Sequence, residues 1–170
     1  SINDYGRAIH AFFGWLHQEE LTASRIKIVK LKEPQHIIPV FSDTQVSRLV
    51  KFKPTLDAEV RVHTVACTIL DTGMRINEAL TLERKDISMN DLLILVRQGK
   101  GRKDRRIPMS MQCRKLLFRY MAQNPPSYGD LLFSQGMGNQ VNHRNILDDF
   151  CTLCGKAGID PPKMSFHPLR

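Results

Sequence analysis

Asp71-Thr72-Gly73-Met74-Arg75-Ile76-Asn77-Glu78-Ala79-Leu80 is the stretch around which the rest of the chain can be interpreted. The apolar spacing before it predicts a helix over about residues 58–72, and Gly73 stands where a left-handed C-terminal cap is needed. A short helix is predicted to begin near Arg75, with Glu78 three residues further on and on the same face. The stretch therefore predicts a helix, a glycine turn and a second helix whose first N–H groups and arginine can face an anion.

A further helix is predicted upstream, from the side chains that can close its first turn. Ser42 can accept a hydrogen bond from the helix backbone, and Gln45 can reach back to complete a capping box. The spacing of Val46, Leu49 and Val50 assigns these three side chains to its buried face.

The beginning of the chain is predicted to be one amphipathic helix followed by an irregular connection. Residues 7–17 place four apolar side chains on one helical face, namely Ile9, Phe12, Phe13 and Leu16. Residues 24–40 are basic and include Pro34 and Pro39, a composition typical of an extended linker. An edge strand is the alternative for this connection.

The periodicity changes to that of strands after residue 85. Residues 86–88 and the apolar run 92–96 predict two strands, and the alternation over 105–109 predicts a third. The glycine-rich, charged segment 98–104 would join the last two strands as a hairpin loop. Helical spacing returns in two later segments, residues 110–123 and 142–156. We therefore predict a mainly α fold with a small antiparallel β-sheet, which is the α+β class.

Composition and charge narrow the function classes. The chain has 170 residues, 42% of them hydrophobic, which is enough for a globular domain with its own core. Lys and Arg number 25 against 17 acidic residues, and the formal net charge is +8. Such a surplus favours a phosphate-rich partner, either nucleic acid or a membrane surface. A basic protein without a polyanionic partner is the alternative. No apolar run has the length of a membrane span, so an integral membrane protein is not expected.

The four cysteines favour buried thiols over a metal site. Cys67 and Cys113 fall in apolar helical patterns. Cys151 and Cys154 form a CxxC, but the chain has no second pair of ligands with the spacing of a zinc site. We expect no metal, no cofactor, and a location in the reducing cytoplasm, since nothing at the start of the chain has the pattern of a secretion signal.

A basic segment lies at the predicted hairpin. Lys100 stands between Gly99 and Gly101, which allow the backbone to approach a ligand closely. Further basic side chains follow it, namely Lys103, Arg105 and Arg106. A solvated basic turn is the alternative interpretation of this segment.

A histidine and an arginine close the chain. His167 and Arg170 are three residues apart and would point the same way on a helix. Near a phosphate, an arginine binds the non-bridging oxygens while an imidazole moves a proton. A core or capping histidine beside a surface arginine is the alternative, just as Arg75 and Glu78 alone could be an ordinary surface ion pair.

The order of these segments resembles the tyrosine recombinase (phage integrase) family over roughly residues 37–170. The matching motifs are Thr72-Gly73-Met74-Arg75-Ile76-Asn77-Glu78, Asp86-Ile87, Gly99-Lys100-Gly101, Arg105 with Ile107-Pro108, and His167-Pro168-Leu169-Arg170. The resemblance implies the tyrosine-recombinase catalytic-domain fold. It also implies a DNA strand transferase for site-specific recombination or integration, which cuts and rejoins double-stranded DNA through a 3′-phosphotyrosyl intermediate.

The resemblance also implies roles for individual residues. Arg75 and Arg170 would clamp the scissile phosphate, and Glu78 would be the acidic partner of Arg75. Lys100 would be the general acid toward the leaving 5′-oxygen, and His167 would assist proton transfer. Five further side chains are expected to contact the DNA backbone: Lys103, Arg105, Arg106, His143 and Arg144.

The chain departs from the family pattern at its end. In the family a further histidine or tryptophan and then the nucleophilic tyrosine follow the His-x-x-Arg segment, whereas this chain stops at Arg170. Its tyrosines are Tyr5, Tyr120 and Tyr128, all upstream of that place. We therefore expect the chain as it stands to contact DNA without forming the covalent intermediate.

The resemblance suggests a division into three parts. Residues 1–23 resemble the last helix of an N-terminal core-binding (SAM-like) domain, residues 24–40 are the linker, and residues 41–170 are a C-terminally incomplete catalytic domain. The family acts as a homotetramer on DNA, so we expect the full-length protein to do so and this fragment to be a monomer. We expect no membrane partner for either form.

Three other functions remain open. The chain could be a DNA-binding relative that never had catalytic activity, or a fragment similar to a type IB topoisomerase. It could also be a basic adaptor for protein or lipid. Binding to DNA that weakens steeply with salt would exclude the adaptor.

Overall fold

The computed structural model describes residues 2–24, 26–29, 31–32, 40–97, 104–125, 129–136, 138–160 and 165–169. The chain divides into two compact units, Ser1–Ile37 and Ile38–Arg170. None of the helices in the described ranges is long and apolar enough to cross a membrane.

The first unit consists of one helix and an irregular segment beside it. Helix α1 (Ile2–Gln18) begins five residues before the predicted residue 7. The side-chain amide of Asn3 donates to the carbonyl of Leu31 and accepts from its N–H, both at 3.0 Å. Ile9 and Phe12, which were expected on a buried face, are exposed. Within the described residues, the segment beside α1 makes its hydrogen bonds to Asn3 and His10 instead.

Three helices open the second unit, and the start of the first and the end of the second follow the predicted caps. Helix α2 (Asp43–Lys51) begins with the capping box of Ser42 and Gln45, which is confirmed. Helix α3 (Asp57–Thr72) ends at Gly73, whose left-handed backbone confirms the predicted cap. Helix α4 (Ile76–Leu80) follows directly. Val50 was predicted to be buried and is 53% exposed.

The sheet is antiparallel with the strand order β1-β2-β3. Its strands are β1 (Ile87–Ser88), β2 (Leu93–Val96) and β3 (Arg105–Pro108). Leu93 pairs with Pro108 and Val96 with Arg105, so the last two strands form the predicted hairpin. A single 3₁₀ turn, Arg84–Asp86, precedes β1.

The remaining elements are helices, apart from one small hairpin that was not predicted. Helix α5 (Met111–Gln123) and helix α6 (His143–Lys156) match the predicted spans within a residue. Between them β4 (Ser134–Gln135) pairs with β5 (Asn139–Gln140), where only a loop was expected. These two-residue strands lack the alternation that identifies longer ones. The 3₁₀ turn His167–Leu169 is the last described element.

Helix α3 lies at the centre of the second unit and packs against α2, α4, α5 and α6. Its inward side chains are apolar at helical spacing, with Val62, Val65 and Ile69 buried. Around them the core is filled by large apolar side chains that are less than 2% exposed, including Leu49, Met74, Leu117, Phe133 and Phe150. The packing fixes both ends of α3, and its C-terminal end carries the candidate site.

Candidate phosphate-binding site

Arg75 is positioned by the glycine turn between α3 and α4. Gly73 ends α3 with its N–H donating to the carbonyl of Ile69 at 2.8 Å. Met74 is fully buried and anchors the turn in the core. Arg75 then adopts an extended backbone at the start of α4, and its side chain is 38% exposed. The turn therefore brings a partly exposed guanidinium to the edge of a fixed core.

Glu78 holds Arg75 from one helical turn away. Its carboxylate accepts from the backbone N–H of Arg75 at 2.8 Å and from the guanidinium Nη1 at 3.1 Å. The Glu78 side chain is only 9% exposed, so the ion pair is shielded from solvent on the acidic side.

Arg105 makes the shorter contacts with the same carboxylate. Its Nη1 and Nη2 donate to the two oxygens of Glu78 at 2.9 and 2.6 Å, a forked arrangement. The hydrogen bonds from Arg105, followed by those from Arg75, hold the pKa of Glu78 at about 2, against the opposing effect of its desolvation. Glu78 is therefore a carboxylate shared by two arginines.

His167 is placed by buried neighbours on both sides. Phe166 is buried and stacks on Phe150 with ring centroids 4.5 Å apart. Pro168 and Leu169 are also buried, whereas His167 is exposed. The short 3₁₀ turn thus presents one imidazole at the surface from a segment that is anchored in the core.

Arg75 and His167 meet at a cleft of about 210 Å³. Arg75, His143 and His167 line it together with backbone and side chains of their neighbours, namely Met74, Ile76, Asn77, Ser165 and Phe166. His143 is the first residue of α6, whose capping residue Asn142 accepts from the N–H of Arg144 at 2.8 Å. One arginine and two imidazoles around a small cleft suit a phosphate oxygen better than a neutral ligand.

The other predicted site residues fall into two groups. Arg106 is exposed on β3 and Arg144 is exposed on the first turn of α6, so both can reach a ligand outside the cleft. Lys100, Lys103 and Arg170 lie outside the described residues.

The contact between Arg105 and Glu78 was not anticipated from the sequence, which assigned Arg105 to the DNA backbone. Strand alternation contained a signal for it, because Arg105 and Ile107 share the partly buried face of β3 while Arg106 is on the exposed face.

Ser165 was also missed. Its hydroxyl is buried at the cleft and has no hydrogen-bond partner in the described structure, and only its nearness to His167 in the chain pointed to it.

A larger cavity of about 430 Å³ lies between α2, α3 and α5, and it is lined by His63 and by two cysteines, Cys67 and Cys113. His63 Nε2 lies 2.9 Å from the carbonyl of Leu49, so this nitrogen must carry the proton. The same nitrogen faces the thiol of Cys67 at 3.6 Å and therefore cannot accept its proton. Burial raises the pKa of Cys67 to about 12. This pair is not an activated nucleophile.

The fold is shared with recombinases of known structure. A XerH recombinase bound to palindromic difH substrate in a post-cleavage complex superposes with a TM-score of 0.77 at 21% identity, covering 98% of this chain and 53% of that one. The Tn1549 transposon integrase in complex with transposon right-end DNA gives a TM-score of 0.79 at 18% identity, covering 99% of this chain and 63% of that one. The predicted fold, a mainly α tyrosine-recombinase catalytic domain with a small antiparallel sheet, is confirmed.

Curated relatives match at the level of sequence. Tyrosine recombinase XerD of Vibrio cholerae is 26% identical in an alignment of 171 positions that covers 96% of this chain and 56% of that protein. Tyrosine recombinase XerC of Escherichia coli O157:H7 is 26% identical in an alignment of 157 positions that covers 90% of this chain and 52% of that protein. The chain thus spans about half the length of the curated relatives that it matches. The model of the phage integrase family matches residues 39–170, and the chain belongs to that family.

Proposed function

We propose that this chain carries the phosphate-binding part of a DNA strand transferase that performs site-specific recombination or integration. The observation that carries the proposal is the cleft in which Arg75, fixed by Glu78, lies with His143 and His167. Membership of the phage integrase family supports it, as do the structural neighbours that were solved with their DNA substrates.

In this mechanism Arg75 binds the non-bridging oxygens of the scissile phosphate. Negative charge grows on those oxygens in the transition state, and a cation that is already in place stabilises it without reorganisation. His167 lies at the same cleft and is assigned the proton transfer to or from the attacking hydroxyl. Lys100 as the acid for the leaving 5′-oxygen and Arg170 as the second clamp remain predictions from the sequence.

The nucleophile is not Tyr120. Its side chain is 4% exposed in the core, with its ring centroid 5.2 Å from that of Phe133. Burial raises the pKa of its phenol, which disfavours the phenolate that attacks phosphorus. The prediction that the family's tyrosine lies beyond residue 170 is part of the proposal.

DNA binding by the chain is tested by titrating a labelled duplex at several salt concentrations. The logarithm of the association constant should fall linearly with the logarithm of salt, by roughly 0.9 for each phosphate contacted. Arg75→Ala should reduce the steepness by about one contact. Arg119→Ala is the matched control, since Arg119 is exposed on α5 and does not line the cleft. Binding that does not depend on salt would refute the proposal.

The covalent step is tested on a nicked suicide duplex that traps a 3′-phosphotyrosyl adduct. We expect no adduct with the chain of 170 residues. We expect one with a form of the protein that extends beyond residue 170, and Arg75→Ala in that form should abolish it. An adduct on the shorter chain would show that the nucleophile is already within it.

Two further expectations belong to the proposal. The whole protein should assemble as a tetramer on DNA while this chain alone is a monomer, which light scattering with and without DNA can measure.

A cytoplasmic location is supported by the free thiols of all four cysteines, since disulfides are rare in that reducing compartment.

A further inference from the structure

The cluster of Arg75, Glu78 and Arg105 has an uneven division of contacts. Arg105 donates two hydrogen bonds to Glu78, at 2.6 and 2.9 Å, with both terminal nitrogens. Within the described residues the Arg75 guanidinium contacts this carboxylate through Nη1 alone, at the longer distance of 3.1 Å. Arg75 also donates its backbone N–H to this carboxylate at 2.8 Å, but the guanidinium contacts of Glu78 come mainly from Arg105, which does not line the cleft.

The charges of the cluster show why this division matters. Two arginines against one carboxylate leave one net positive charge. With Arg105 absent, Arg75 and Glu78 would form a neutral pair, and a phosphate approaching Arg75 would meet the carboxylate at close range. Because Glu78 is 9% exposed, solvent would screen that repulsion poorly.

We propose that Arg105 is a positioning residue that neutralises Glu78 and so keeps the positive charge of Arg75 available to a phosphate in the cleft. The inference rests on the proposed function. It replaces the expectation that Arg105 contacts the DNA backbone, because the guanidinium points to Glu78 with both of its terminal nitrogens. The neighbouring Arg106, exposed on the other face of β3, keeps that expectation.

A double-mutant cycle on duplex DNA binding tests the proposal with Arg105→Gln and Glu78→Gln. Arg105→Gln should weaken binding roughly tenfold, because the amide can still contact Glu78 but cannot neutralise it. In the double variant the net positive charge is restored, and affinity should return to within about threefold of the original chain. Glu78→Gln should therefore raise affinity much more in the Arg105→Gln background than in the original chain.

Two variants supply the controls. Arg106→Gln should also weaken binding, but Glu78→Gln should add only the same factor that it adds to the original chain. Arg105→Lys keeps the charge and should retain most of the affinity. If Arg105 instead contacted a phosphate directly, the effects of Arg105→Gln and Glu78→Gln would be additive, and the proposal would be wrong.

A measurement without DNA separates this inference from the proposed function. In the free chain, NMR of the Glu78 carboxyl carbon should show a pKa that rises toward the ordinary range in Arg105→Gln, and rises less in Arg75→Gln. An equal or smaller rise in Arg105→Gln would overturn the inference. A chain that binds no DNA would refute the proposed function. The titration of Glu78 would still show whether Arg105 is the main partner of that carboxylate. Thermal unfolding of each variant confirms that it is folded, and the uncharged Arg105→Met replaces Arg105→Gln in the titration if the latter is not.

Discussion

Gly73 ends α3 with a φ of 66° and a ψ of 15°, a conformation that a residue with a Cβ adopts only at a cost. The next residues, Met74 and Arg75, owe their positions to this turn, since Met74 enters the core and Arg75 reaches the cleft. The position of Arg75 at the cleft therefore depends on the backbone conformation of Gly73 as well as on the contact with Glu78.

Gly73→Ala should lower the free energy of unfolding by about 1 kcal/mol and weaken DNA binding. The cost comes from the backbone, because an added Cβ would meet no atom within 4 Å. Gly155→Ala is the matched control, since this glycine lies inside α6 with equally open space and a helical backbone. It should raise stability by roughly 0.5–1 kcal/mol. Chemical denaturation measures both, and equal effects would contradict the role of the left-handed turn.

Tyr120→Phe should leave DNA binding unchanged, and in the whole protein it should leave DNA cleavage unchanged. The ring stays packed against Phe133 in the core, and only a buried hydroxyl is lost. Cleavage of the suicide duplex is the measurement. Loss of cleavage by a variant with normal stability would identify Tyr120 as the nucleophile after all.

At the level of elements, Glu59 connects the start of α3 to the end of α6. Its carboxylate accepts from the N–H groups of Thr55 and Leu56 at 3.0 and 3.3 Å. It also pairs with Lys156 in the last turn of α6. The hydrogen bond from Lys156, followed by that from the Thr55 backbone, lowers the pKa of Glu59 to about 2.

This pairing predicts how stability depends on pH. A carboxyl whose folded pKa lies below its unfolded value stabilises the fold above the unfolded pKa, and the contribution is lost as pH falls through the folded pKa. For Glu59 the window runs from 4.5 down to about 2. Glu59→Gln should therefore lower stability at neutral pH and reduce the further loss in that window. Lys156→Gln should have part of the same effect. Thermal unfolding across pH measures it, and identical pH profiles would count against the bridge.

At the level of the whole molecule, Phe150 links the core to the cleft. It is fully buried on α6, 4.5 Å from Phe166 and 6.3 Å from Phe41 between ring centroids. Phe166 immediately precedes His167 in the chain. Packing of Phe166 against Phe150 in the core therefore helps to hold the His167 imidazole in position.

Phe150→Ala should cost about 3–5 kcal/mol of stability, the range for deleting a buried aromatic ring. It should also loosen His167, which would appear as broadened imidazole signals in NMR spectra at temperatures where the chain remains folded. Phe118→Ala is the control, since this side chain is 66% exposed on α5 and its loss should change stability by less than about 0.5 kcal/mol. A similar loss at both positions would contradict the assignment of Phe150 to the core.

Much of the fold could be predicted because helices and caps depend on neighbours within about four residues. The Ser42 capping box, the Gly73 cap and helices α3, α5 and α6 were predicted on this basis and are confirmed. The exposure of Val50 could not be predicted, because helical spacing identifies an apolar face without showing what other elements cover it. The same limit applies to the exposed Ile9 and Phe12 of α1.

For the candidate site, the glycine turn before Arg75 is a local property of the chain, but Arg75, Glu78 and His167 were singled out by the order of motifs that resembles the tyrosine recombinase family. The second arginine that binds Glu78 could not be identified from the sequence. Arg105 lies 27 residues away in the chain, and its contact with Glu78 exists because packing brings β3 against the start of α4. Charged side chains replace water as each other's partners only when they lie within hydrogen-bonding distance. Folding of the whole domain therefore decides which arginine neutralises the carboxylate and which remains available to a phosphate.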